Sequence, residues 1–284
     1  MIASRLVFNF DSISGLAPRV FYKLQELKML DLSENKIQFI DGAIFVDIPA
    51  IEVFRCNHCQ LFQLRTPDFI IPSKLKTISL AGNAIQDLTE IHPNLLKIVR
   101  NLNLSQNQIR QLYYKKHLAL SQTLQHLDLS HNNLSYIEDC AFCNTSLHTL
   151  DLSHNGLRSL NPDMVNYGFR SLTNLILTGN WLTVENIAVL ASKMPNLAQL
   201  NIDQTGIASL PPGIFYNNLR LKELNISGNY LIHLDASVLS DLDMLEKLDL
   251  SYNYFMGMDQ TFFDVVKQKE KLRLKMVYLQ VHIC

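Results

Sequence analysis

The segment FRCNHCQ places Cys56, His58 and Cys59 within four residues. Two thiols separated by two residues suit disulfide exchange, and with an imidazole they suit half of a zinc site. A second group of the same residue types is His126, Asp128, His131, His148, Asp151 and His154. Imidazoles beside carboxylates suit metal ligation or a surface that charges near pH 6. What either group can do depends on the elements that hold it.

Those elements repeat. LKMLDLSENKI begins at Leu27, LKTISLAGNAI at Leu75 and VRNLNLSQNQI at Val99. LQHLDLSHNNL, LHTLDLSHNGL, LTNLILTGNWL, LKELNISGNYL and LEKLDLSYNYF follow in register. Each fits L-x-x-L-x-L-x-x-N-x-L. LAQLNIDQTGI, ASRLVFNFDSI and IEVFRCNHCQL fill the remaining slots with a different residue in place of Asn. The ladder positions are therefore Asp11, Asn35, Cys59, Asn83, Asn107, Asn132, Asn155, Asn180, Thr205, Asn229 and Asn253, with gaps of 23–25 residues.

This period and pattern resemble leucine-rich repeats over nearly the whole chain. The second half of each copy carries apolar residues five, ten and thirteen places past the ladder, as at Ile40, Phe45 and Ile48. That spacing resembles the 24-residue subtype of animal cell-surface proteins, including chaoptin-like adhesion proteins and Toll-like receptor ectodomains. The resemblance implies an α/β-type solenoid. This is a right-handed horseshoe with a parallel concave sheet of about eleven strands and a mostly irregular convex side. Residues 1–268 are expected to form the solenoid and 269–284 a degenerate or truncated repeat. Leu274, Val277, Leu279 and His282 are placed to form a twelfth strand. VENIAVLASKMPNL has helical spacing, which predicts a convex helix near 184–193.

The register changes the meaning of FRCNHCQ. Cys56 occupies an inward leucine position and Cys59 the ladder position. Both are expected to be buried, reduced and unbridged, because a bridge would distort the strand-to-turn geometry. His58 falls on the outward alternation, away from the thiols. Cys140 and Cys143 belong to a distant convex segment, where a structural role or a local bridge is expected. No nucleophile triad, phosphate loop or metal-ligand set fits the register, so neither enzyme activity nor a cofactor is expected.

Function is then sought on outward positions. Arg55, His58, His126, Asp128, His131, Asp151, His154, Ile176, Gln199 and Asn201 face out from the strands. Trp181, Tyr230 and Tyr254 follow the ladder residue directly, which places them on the lateral edge of the coil, with Tyr252 close by. Exposed Trp and Tyr are favoured interface anchors. The expected partner is a protein ligand or a second copy of the chain.

The net charge of −1 gives no support to nucleic-acid or polybasic membrane binding. A small-molecule substrate is not expected either. No apolar stretch is long enough to span a bilayer. The chain opens inside a repeat and ends in a degraded one, so it reads as a fragment whose parent supplies any membrane attachment; an intact chain with dimer-buried ends is the alternative. Four N-x-[ST] sequons, at Asn103, Asn133, Asn144 and Asn225, are candidate N-glycosylation sites. With the 24-residue subtype they point to a cell-surface or extracellular parent, either an adhesion protein or a receptor ectodomain. An intracellular scaffold or targeting subunit is the competing expectation.

Overall fold

In each three-residue x-L-x strand alternate side chains take opposite faces, so the flanking residues face out and the central leucine faces in. One turn cannot bury that inward residue alone, and neighbouring turns must stack. The computed structural model describes residues 4–10, 12–17, 19–64, 72–113, 122–142, 145–160, 171–256, 264 and 276–278. It shows this stacking throughout. The strands are β1 (Arg5–Val7), β2 (Met29–Asp31), β3 (Val53–Arg55), β4 (Thr77–Ser79), β5 (Asn101–Asn103), β6 (Gln111–Leu112), β7 (His126–Asp128), β8 (Tyr136–Ile137), β9 (Thr149–Asp151), β10 (Asn174–Ile176), β11 (Gln199–Asn201), β12 (Glu223–Asn225), β13 (Lys247–Asp249) and β14 (Met276–Tyr278). β6 and β8 pair with each other; the other twelve form one sheet in chain order, each parallel to the next. Register advances by one repeat per strand, as in Leu30 opposite Phe54 and Leu224 opposite Leu248. The twelfth strand is the segment around Val277; Leu274, Leu279 and His282 lie outside the described residues.

The convex side is built from short turns. Gly42–Val46, Leu88–Glu90 and Ala236–Leu239 are 3-10 turns, each started by an Asp that accepts a backbone N–H. Val184–Ser192 is a helix, capped by Thr183, with Ile187, Leu190 and Ala191 buried. Ile40, Phe45, Ile48, Leu64, Leu210 and Phe215 are buried from the convex side.

The ladder asparagines tie successive turns together. Asn132 is typical. Its amide nitrogen donates to Leu104 O of the preceding turn at 2.9 Å, and to Leu129 O and Ser130 O of its own turn at 3.0 and 3.2 Å. Its carbonyl oxygen accepts from Ile109 N of the preceding turn at 3.0 Å. Asn35, Asn83, Asn107, Asn155, Asn180, Asn229 and Asn253 repeat the pattern. Thr205 reproduces only part of it, donating to Ile202 O of its own turn. Asp11 lies outside the described residues.

The turn that aims the ladder residue inward has a fixed backbone cost. The residue before it is left-handed in all eleven repeats: Phe10, Glu34, His58, Gly82, Gln106, His131, His154, Gly179, Gln204, Gly228 and Tyr252 have φ between 50° and 67°. Its N–H then reaches the neighbouring turn, as from His131 to Ser153 O at 2.9 Å. Glycine takes this conformation without strain. At Gly82 and Gly179 there is a second reason, because the rings of His58 and His154 lie where a Cβ would sit. Where the ladder residue is not Asn, the next residue also turns left-handed: Ser12, Gln60 and Gly206. The ladder N–H is thereby redirected to the following asparagine, Cys59 to Asn83 Oδ1 and Thr205 to Asn229 Oδ1.

One expectation is corrected here. Cys56 and Cys59 are joined by a disulfide, not left as free thiols, although both are fully buried. The left-handed residue His58 brings their Cα atoms to 5.6 Å, within the ordinary range for a bridge. The distortion expected of a bridge is therefore already present in every turn of this solenoid. Cys140 is also disulfide-bonded; Cys143 lies outside the described residues.

Asn132→Ala removes four bonds to backbone groups sealed from water, and should cost about 3 kcal/mol in chemical denaturation. Thr205→Ala should cost only about 1 kcal/mol, since its side chain carries fewer of these bonds. Equal costs at the two positions would show that the ladder amides do not carry the stacking.

Candidate protein-recognition surface

The outward strand positions form a shallow open bowl of about 800 Å³, bordered by Asp31, Arg55, His58, Asn103, His126 and Asp151. A second depression of about 280 Å³ lies over Ile176, Gln199, Asn201 and Lys247. Much of the polarity in the bowl is already used by the fold. Asp128 Oδ1 accepts from both the amide and the hydroxyl of Ser130, at 2.9 and 2.7 Å. Asp31 with Ser33 and Asp249 with Ser251 do the same, and Asp151 accepts from Ser153 N. Asn201 accepts from Asp203 N. These are Asx turns that close the end of each strand. The recurring D-x-S spacing is the signal for these turns in the sequence.

Arg55 is half-buried and lies 3.8 Å from Asp31. His58, His126, His131 and His154 are exposed. His131 and His154 stack with ring centroids 4.4 Å apart, and His126 lies 6.4 Å from His148. Partial desolvation at this exposed residue, reinforced by the neighbouring His148 charge, pushes the His126 pKa down. Burial raises that of Asp151, against the opposing hydrogen bonds of Ser153. Ile176 is half-buried, and the Gln199 side chain accepts from Asn174. No group of three metal-ligating side chains gathers among the described residues.

The lateral edge differs from the bowl, because its side chains do little for the fold. Trp181 is 66% exposed, Tyr230 52% and Tyr254 55%. Tyr230 and Tyr254 stack at 5.8 Å. Tyr252 is exposed beside them. Two residues not singled out from the sequence join this edge, Ile232 and Met256, the latter 92% exposed. Each stands three places past a ladder asparagine, so the register could have found them. The same two edge positions upstream hold mostly polar residues: Lys36, Gln38, Gln60, Gln86, Gln108, Arg110, Asn133 and Ser135. Upstream, one exposed ring stands at these positions, Phe62; Trp181, Tyr230 and Tyr254 lie together at the C-terminal end.

The sequons divide in the same way. Asn103 and Asn225 are half-buried, and each accepts the amide of its own sequon serine. Asn133 and Ser135 are both exposed on the edge. Asn144 lies outside the described residues.

Because His126 resists protonation in the fold, the unfolded chain takes up that proton first as pH falls below 6.5. Its contribution to stability is complete above 6.5 and is lost between there and its lower folded pKa. His126→Gln should therefore flatten the fall in Tm across this window. An unchanged Tm–pH curve would contradict that assignment.

Comparison with known proteins agrees with the repeat fold. The leucine-rich repeat family model matches residues 4–61, 122–182 and 195–255. Chicken (Gallus gallus) Tsukushi is 25% identical over 231 residues, covering 79% of this chain and 60% of that protein. Bovine (Bos taurus) osteomodulin is 30% identical over 232 residues, covering 80% of this chain and 47% of that protein. The chain therefore spans about half the length of these relatives. Among solved structures, that of a TLR13–ssRNA13 complex superposes with a TM-score of 0.79 at 27% identity, over 97% of this chain and 40% of that one. The Drosophila Toll–Spatzle complex gives 0.77 at 24% identity, over 94% and 35%, and shows the shared fold. One of these structures contains RNA and the other a protein, so the fold does not exclude nucleic acid as the low net charge had suggested. Proteins of this kind are binding modules rather than enzymes. With its matched segments covering well over half of its length, the chain belongs to the leucine-rich repeat family.

Proposed function

We propose that the chain is the protein-recognition part of a secreted or cell-surface protein, and that it binds through its C-terminal lateral edge. The observation that carries the location is the Cys56–Cys59 disulfide. Bridges of this kind persist in oxidising compartments and are rare in the cytosol. An intracellular scaffold, the competing expectation, would hold these thiols reduced. The relatives Tsukushi and osteomodulin support the same location. No helix among the described residues is long and apolar enough to cross a membrane.

The grouping of four exposed rings, Trp181, Tyr230, Tyr252 and Tyr254, in the last repeats supports the choice of surface. Large rigid aromatics at low entropic cost are the usual energetic centre of an interface. The polar upstream edge carries Asn133, the exposed sequon, which leaves sugar and partner on separate stretches. A protein ligand and homophilic adhesion both fit this surface.

Secreted from animal cells, the chain should show a smaller mobility shift on glycosidase treatment when Asn133→Gln is introduced, while Asn103→Gln and Asn225→Gln leave the shift unchanged. Tagged chain should bind partner-bearing animal cells by flow cytometry. The double variant Trp181→Ala, Tyr230→Ala should reduce that binding at least tenfold with an unchanged Tm. Undiminished binding would move the contact to the concave bowl.

A further inference from the structure

Along the lateral edge, the amide following each ladder asparagine donates to the preceding turn. Trp181 N bonds Leu157 O at 2.9 Å, Tyr230 N bonds Ile207 O at 2.8 Å and Tyr254 N bonds Leu231 O at 2.9 Å. This row of bonds is broken at Gly206. There the ladder residue is Thr205, and Gly206 adopts φ +82°. As a result Gly206 N–H and Leu182 C=O make no hydrogen bond with the described residues. The break is bracketed by rings. A point one Cβ above Gly206 lies 3.9 Å from Trp181 Cε3 and 4.0 Å from Tyr230 Cε2. Two aromatic walls therefore flank a floor that has no side chain and an unused donor.

The other break, at Gln60, has the same left-handed backbone after Cys59. Its edge neighbours are Lys36 and Ala84, so it has no aromatic walls. The slot at Gly206 is the one break shaped to hold a group.

We infer that Trp181, Gly206 and Tyr230 form a clamp for a proline in an extended segment of a protein partner, with Gly206 N–H donating to a backbone carbonyl of that segment. This rests on the protein-recognition role proposed above. Three features select the occupant. The edge residues around the slot, Thr183, Ala208 and Ile232, are uncharged, so no carboxylate there adds to the pull of the rings on an arginine or lysine. A polyproline II segment keeps its carbonyls unpaired and in need of donors. Its three-residue turn of about 9.3 Å also matches the roughly 9.6 Å between edge positions two strands apart, which separates Trp181 from Tyr230. A proline ring between two aromatic faces uses the same packing that Pro-rich ligands use in aromatic-lined grooves.

Trp181 is the single tryptophan of the chain, so its fluorescence reports on the slot directly. The probe is the blocked peptide Ala-Pro-Pro-Ala-Pro-Pro-Ala, titrated into the purified chain. Its binding should change Trp181 emission saturably. Tyr230→Ala, an exposed substitution that leaves the fold and Trp181 in place, should weaken binding about tenfold. A Gly/Ser peptide, with or without a central arginine, should give no response. The clamp is overturned by the absence of a saturable change, by unaltered affinity in Tyr230→Ala, or by equal or tighter binding of the arginine peptide. If the peptide fails while the secreted chain still binds cells through Trp181 and Tyr230, only the clamp falls and the recognition role stands.

Discussion

Twelve strands stacked in one parallel sheet leave a set of backbone carbonyls and amides inside each turn, sealed from water by the leucines on either side. Left unpaired, each would cost of the order of 1–3 kcal/mol. The ladder asparagine removes that cost because one amide group supplies both donors and an acceptor at a point between two turns. Everything else follows from that requirement. The side chain must point inward immediately after the strand, so the residue before it must be left-handed. That turn aims the next side chain at the lateral edge, where this chain displays Trp181, Tyr230 and Tyr254.

Departures from asparagine are informative for the same reason. Thr205 and Cys59 cannot bridge the turns in the same way, and both are followed by a second left-handed residue. That second turn redirects the ladder amide to the next asparagine and interrupts the edge bonds. At Cys59 a disulfide to Cys56 fills the space where the amide would have bonded. At Thr205 the interruption coincides with Gly206 between Trp181 and Tyr230. A weakened point in the scaffold is thereby placed beside the exposed Trp181.

The bowl and the edge play different parts. Asp31, Asp128, Asp151 and Asp249 look like an acidic binding row in the sequence, yet each spends its oxygen on a serine two residues later. His58 and His154 cover glycines of the following turn. Trp181, Tyr254 and Met256 have no comparable structural duty, which is why exposure there points to a partner.

The sequence by itself determined the solenoid, the ladder positions, the inward and outward alternation and the edge location of Trp181, Tyr230 and Tyr254. Each of these follows from a period, and a period is visible in one dimension. It misjudged Cys56 and Cys59 because spacing along the chain does not reveal how closely a left-handed residue brings two inward side chains together. It also passed over the Asx turns, although D-x-S was written several times, because a hydrogen bond between residues two apart depends on how the strand ends. Only the tertiary structure decided that Gly206 N–H is left without a partner among the described residues, or that the rings of Trp181 and Tyr230 both come close to it. Those facts depend on backbone direction and on contacts between separate turns, and no local pattern of residues encodes them.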